Sequence, residues 1–218
     1  MQTTKTALTD FIRSIHARPN GTGALLNLIR ASEVRAAGSL SCLADVITDD
    51  LLRLDVTRHA ADEARHAYIL VRRMHEIGFA PGRLPVEIDR TEGVVSACRA
   101  RDPKQVYEQR GWLDDTEILE TLVAAALAER DALPKLQANY DVLAGDPQTQ
   151  AVLGSILRDE HRHVAYLDSW VARFADRLSP AVVCETRERL QAAFTDLNVV
   201  FYAALDGYLR SAEARVAA

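Results

Sequence analysis

The chain has 218 residues, 48% of them hydrophobic and 26% charged, with a net charge of -5 and only 10 Gly and 7 Pro. That composition excludes fibrous, collagen-like and disordered chains and suits one globular domain spanning 1–218. The acidic balance supplies no overall pull toward nucleic acid or anionic membrane, and no run reaches the ~18 apolar residues of a membrane-spanning helix.

Residues 1–16 have no basic region followed by an apolar run, so the expected location is cytoplasmic. Most of the Gly and Pro gather near 19–23, 78–85, 145–147 and 180, and the uninterrupted blocks between them read as helices. The first long block, 22–47, has Thr22 as its N-cap candidate and carries Leu26, Ile29, Glu33, Ala36, Ala37, Leu40 and Ala44 on one stripe. The second, 49–78, ends at Gly78 and carries Leu52, Val56, His59, Glu63, His66, Leu70 and Met74. A third, 114–144, carries Ile118, Leu122, Ala125, Glu129, Leu133, Leu136 and Tyr140, with Pro134 expected to kink it or mark a bulge. The fourth opens on Asp146 and Pro147 and carries Leu153, Ile156, Glu160, His163 and Leu167. A fifth, 180–214, reads as an appended helix.

Short links within the first and second pairs demand antiparallel hairpins. The 34 or so residues from Gly78 to Trp112 are enough to return along a whole helix. The expected fold is therefore all-α: a ferritin-like four-helix bundle of two hairpins joined by a long crossover, with its core over 22–179.

Each apolar stripe holds a glutamate, and two add a histidine three residues on, on the same face. Reflecting Glu63 through a turn near Thr48 reaches Glu33, and reflecting Glu160 through Asp146 reaches the neighbourhood of Glu129. Glu117 and Glu120 lie 9 to 12 residues before Glu129, displaced by roughly 14 to 18 Å, and read as solvated charges. Four carboxylates and two imidazoles at one level of a core would repel and strand one another without a cation. Such a donor set suits two iron ions, with manganese or an Fe/Mn pair also fitting.

The motifs Asp62-Glu63-Ala64-Arg65-His66 and Asp159-Glu160-His161-Arg162-His163 repeat one D-E-x-R-H string. Average residue usage places a single such string in about one chain in a thousand of this length. The pair resembles the motif of the non-haem di-iron carboxylate superfamily on the ferritin-like fold, and the similarity covers 22–179. The resemblance implies one iron on Glu33, Glu63 and His66 and the other on Glu129, Glu160 and His163, with Glu63 and Glu160 bridging. It implies, too, that Asp62 holds His163, that Asp159 holds His66, and that Arg65 and Arg162 balance those aspartates. By size, the oxygenase-type members, aldehyde-deformylating oxygenases and tRNA hydroxylases, stand nearest.

The function implied is O2-dependent oxidation of a small or lipid-like organic substrate, the work of a monooxygenase-type oxidoreductase. A ferroxidase or rubrerythrin-like peroxide-detoxifying protein and a tRNA-modifying hydroxylase are the alternatives. Cys42, Cys98 and Cys184 form no CxxC, so they read as reduced and mostly buried thiols, and electrons would come from a ferredoxin or reductase. A homodimer fits as well.

Small residues Ala36, Ala37, Ala125 and Ala126 either leave substrate space or permit close packing. His59 reads as a satisfied core histidine or a proton shuttle, and Tyr140 and Tyr166 as packing or electron-transfer residues. Arg72, Arg73, Arg90, Arg99, Arg101, Lys104 and Arg110 read as a solvated face or, for a nucleic-acid partner, a basic patch.

Overall fold

Helix boundaries follow the capping chemistry beside them. Asp49 accepts from the backbone N–H of Leu51 and Leu52 at the start of one helix. Asp114 and Glu117 close a capping box at another, and Asp146 caps Thr149 N–H just before Pro147. At the opposite end of the Asp49 helix, Gly78 has φ 74°. There Gly78 N–H bonds His75 O and Phe79 N–H bonds Met74 O, the paired bonds of a Schellman stop that favours glycine.

The computed structural model describes residues 2–88 and 108–214. The order is α1 (Gln2–His16), α2 (Gly21–Val46), α3 (Asp50–Glu76), a 3-10 turn at Val86–Ile88, α4 (Asp115–Val142), α5 (Pro147–Arg177) and α6 (Pro180–Ala214). No strand occurs among the described residues, and no helix there is long and apolar enough to cross a membrane.

Two apolar clusters fill opposite ends of the fold. One joins the C-terminal half of α2 to the N-terminal half of α3 through Leu40, Leu43, Leu52 and Val56, and adds Leu122 of α4 and Phe174 of α5. The other joins the remaining halves through Leu26, Leu70, Met74, Leu136 and Leu153, with Ile12 and Ile15 of α1 and Leu205 of α6. Glu33, Glu63, His66, Glu129, Glu160 and His163 stand between these clusters in chain position on all four central helices. Each large apolar side chain buried contributes roughly 1.5–3 kcal/mol, which lets the ends carry a polar middle.

The long connection leaves from Phe79 in one cluster and returns at Leu113 in the other, where Leu113 N–H bonds Val46 O. Residues 89–107, with Arg90, Cys98, Arg99, Arg101 and Lys104, lie outside the described residues.

Several expectations are corrected. Helix α1 was not among the predicted elements, yet it packs on α2 and α4. Its Leu8, Phe11, Ile12 and Ile15 follow the 3.6 period that marks an amphipathic helix. Thr22 is not a cap: Asn20, at φ 59°, precedes α2 without a side-chain capping bond, and Thr22 Oγ1 meets His16 Nδ1 at 2.9 Å. Cys184 is exposed and Cys42 only half-buried. Arg73 is buried, bonding Asp146, Thr149 and Gln148, so it is no part of a solvated face.

Candidate metal centre

Six ionisable residues from four helices meet at the mid-height of the fold. Glu33 comes from α2, Glu63 and His66 from α3, Glu129 from α4, and Glu160 and His163 from α5. The i, i+3 spacing sets each histidine over its glutamate on one face.

Two quartets of donor atoms form, each with its atoms within 4.8 Å of one another: Glu33, Glu63, His66 and Glu160, and His59, Glu63, Glu129 and His163. Glu63 belongs to both. His66 Nδ1 lies 3.4 Å from Glu33 Oε2 and 3.3 Å from Glu160 Oε1. His163 Nδ1 lies 3.1 Å from Glu160 Oε2 and 3.2 Å from Glu63 Oε1. Both rings therefore turn Nδ1 inward.

Their outer nitrogens meet aspartates from the opposite motif. His66 Nε2 is 3.1 Å from Asp159 Oδ2, and His163 Nε2 is 3.5 Å from Asp62 Oδ2. Arg162 donates to Asp62 at 2.6 Å and to Asp159 at 2.7 Å, and Arg65 also pairs with Asp159. A carboxylate on the back of a ligating imidazole fixes its tautomer and raises its basicity.

The layer settles its charge by moving protons. Burial, then the neighbouring Glu63 carboxylate, pushes Glu33 well above the ordinary carboxylate range. Burial and Glu160 do the same to Glu129. Burial also opposes ionisation of Glu160, but His163 and His66 overcome it and bring the carboxyl down to about 2. For Glu63, Glu33, His163 and His59 outweigh burial and hold it well below the usual range. Burial works against charge on His163, yet Glu160 and Glu63 raise it to about 9.

One carboxylate oxygen, Glu63 Oε1, is buried without a hydrogen-bond partner among the described residues. An orphaned oxygen shared by two quartets of O and N donors is an arrangement that can hold metal ions.

Glu117 lies apart, closing the capping box at the start of α4 and pairing with Arg110. Glu120 also lies apart but is not solvated: it is buried and pairs with Arg189 of α6. Arg189 of the appended helix turns its cation inward there. Tyr166 hydroxyl meets His59 Nδ1 at 2.7 Å, while Tyr140 packs beside Gly154.

A cavity of about 140 Å³ opens beside Glu33, walled by apolar side chains of α1, α2, α4 and α6 that include Ile12, Ile29, Ala132, Leu136 and Phe201. Of the two readings of the small residues, the contacts agree with close packing. Ala126 is buried in one apolar cluster, and Ala36 and Ala125 pack against it.

Comparison with protein-family models, with curated proteins and with solved structures gives no match.

Proposed function

We propose that this chain is a cytoplasmic non-haem di-iron oxygenase or hydroxylase on a ferritin-like four-helix bundle, oxidising a small apolar organic substrate with O2 and electrons from an external ferredoxin or reductase. The observation that carries the reading is the juxtaposition of two donor quartets sharing Glu63 with an apolar cavity that reaches Glu33. Glu33, Glu63 and His66 would hold one ion and Glu129, Glu160 and His163 the other. Two irons there would supply electrons and open positions for O2.

The chain's own residues do the rest. Asp159 and Asp62 take the outer N–H of His66 and His163, leaving each Nδ1 lone pair pointing inward. Arg65 and Arg162 neutralise those aspartates where the layer meets solvent. The mostly apolar wall beside Glu33, which also includes Ser32, Lys135 and Asn139, would seat a substrate against the carboxylate. A dry cavity of roughly 150 Å³ holds one benzene molecule, so the space here suits a single ring or a short alkyl chain.

A ferroxidase would need no such organic pocket, and a tRNA hydroxylase reading loses Arg73 from its basic patch. The test is anaerobic loading with Fe(II), metal analysis, and O2 uptake with a reductant and small hydrocarbons. Two irons per chain and O2 uptake that continues for many turnovers only when a hydrocarbon is present are expected. Uptake strictly in proportion to the iron oxidised, whatever organic compound is added, would remove the oxygenase reading and leave iron oxidation.

A further inference from the structure

Six ligands leave one buried group unexplained. His59 lies on α3 one turn before Glu63 and is 1% exposed. Its two ring nitrogens have different surroundings. Nδ1 meets the Tyr166 hydroxyl at 2.7 Å, so one end of the ring is satisfied by a partner from α5. Nε2 points the other way, into the layer, 3.0 Å from Glu63 Oε1 and 3.1 Å from Glu129 Oε1.

Those distances are short enough for hydrogen bonds, yet Nε2 makes none: it is one of the few buried side-chain atoms without a partner among the described residues, and Glu63 Oε1 is another. A nitrogen close to two carboxylate oxygens but bonded to neither is aimed between them. Leaving a buried nitrogen orphaned is costly, so a ring held this way calls for a third party.

We propose that His59 Nε2 is a seventh metal ligand, completing an ion position with Glu63, Glu129 and His163 while Nδ1–H is held by Tyr166. The assignment rests on the two-ion reading given above. The His59 and His163 rings lie 3.7 Å apart between centroids with their planes 33° from parallel, so both can present a nitrogen to one ion. The two positions are then unequal. The one on Glu33 has a single imidazole and faces the cavity, whereas the one on His59 has two imidazoles and is backed by Tyr166. Imidazole favours iron or zinc over manganese, so manganese should discriminate between them.

The test titrates Co(II) into the metal-free wild-type protein and into His59→Ala, following the visible ligand-field spectrum and the bound metal by equilibrium dialysis. Wild type is expected to take two Co(II) per chain. The variant should bind one as before and the other at least 10-fold more weakly, with added free imidazole restoring the lost affinity and spectrum. Rescue by imidazole would not follow from a merely structural role. If His59→Ala does not fold by circular dichroism, His59→Gln carries the same titration. Two ions bound with wild-type affinities and spectra in the variant, or a loss that imidazole fails to restore, overturns the His59 assignment and leaves the two-ion reading standing. No Co(II) bound by the wild type overturns both.

Discussion

Asp159 Oδ2 stands 3.1 Å from His66 Nε2, so a residue of α5 orients the ring of a residue of α3, and Asp62 faces His163 in the reciprocal sense at 3.5 Å. The two D-E-x-R-H strings thus interlock: each supplies the acceptor for the other's histidine. Carboxylates on the far side of a ligating imidazole are worth 10–100-fold in metal affinity. Asp159→Asn, which keeps the size but loses the charge, is therefore expected to weaken one Fe(II) by about that factor. An anaerobic Fe(II) titration checks it, and an unchanged affinity would show that Asp159 serves only Arg65 and Arg162.

On the proposed two-ion reading, metal entry must displace protons. Glu33 and Glu129 are raised well above the usual carboxylate range, and His163 keeps its proton until about pH 9. Binding is therefore expected to release protons near neutrality and to tighten as pH rises from 6 toward 9. Calorimetry in two buffers of different ionisation enthalpy measures that release, and equal heats in both would contradict it.

The same groups set the stability of the metal-free protein. His163, raised from 6.5 to about 9, contributes stability that is complete below 6.5 and is lost as pH rises through 9. The raised Glu33 and Glu129 act with the same sign. Glu160, lowered from 4.5 to about 2, contributes above 4.5 and loses that contribution as pH falls through 2. The Tm of the metal-free protein should thus fall between pH 6.5 and 9, as thermal melts would record.

Glu120 and Glu129 offer a contrast within one helix. Glu129 belongs to a donor quartet, while Glu120 is buried against Arg189. Glu129→Ala should lose at least one metal ion. Glu120→Ala should keep both, at a cost of about 1–3 kcal/mol for the lost buried ion pair, a fall in Tm of roughly 2–12 °C for a chain of this size. Full metal content in Glu129→Ala with loss in Glu120→Ala would reverse the two assignments.

Much of this could be read before any coordinates because helices repeat. The 3.6 period sets Glu63 and His66 on one face, and a short turn forces Glu33 to their level, so convergence follows from chain geometry. What depended on contacts far apart in sequence could not be read that way. Whether His59 is satisfied turns on Tyr166, 107 residues on, and on Glu129 in another helix. The burial of Glu120 depends on Arg189, from a helix with no fixed register to the other four. Arg73 looks like any helical arginine until the N-terminus of α5 arrives beside it. Helix α1 is a different case: its apolar period was present in the sequence, and its packing between α2 and α4 is what closes the cavity.

On the proposed oxygenase reading, that cavity separates metal binding from substrate oxidation. Ala132 lies on its wall in α4, three residues beyond Glu129 and outside both donor quartets. Replacing it with Phe would place a ring in a space suited to about one, without touching a carboxylate or a histidine. Ala132→Phe is therefore expected to bind metal as wild type does and to keep its Tm within a few degrees. Its hydrocarbon-dependent O2 uptake should drop at least about 10-fold, the scale of one lost apolar contact in a transition state. Uptake at the wild-type rate would mean that the organic substrate reaches the ions from another side, and a loss of metal would mean that the cavity wall supports the centre directly.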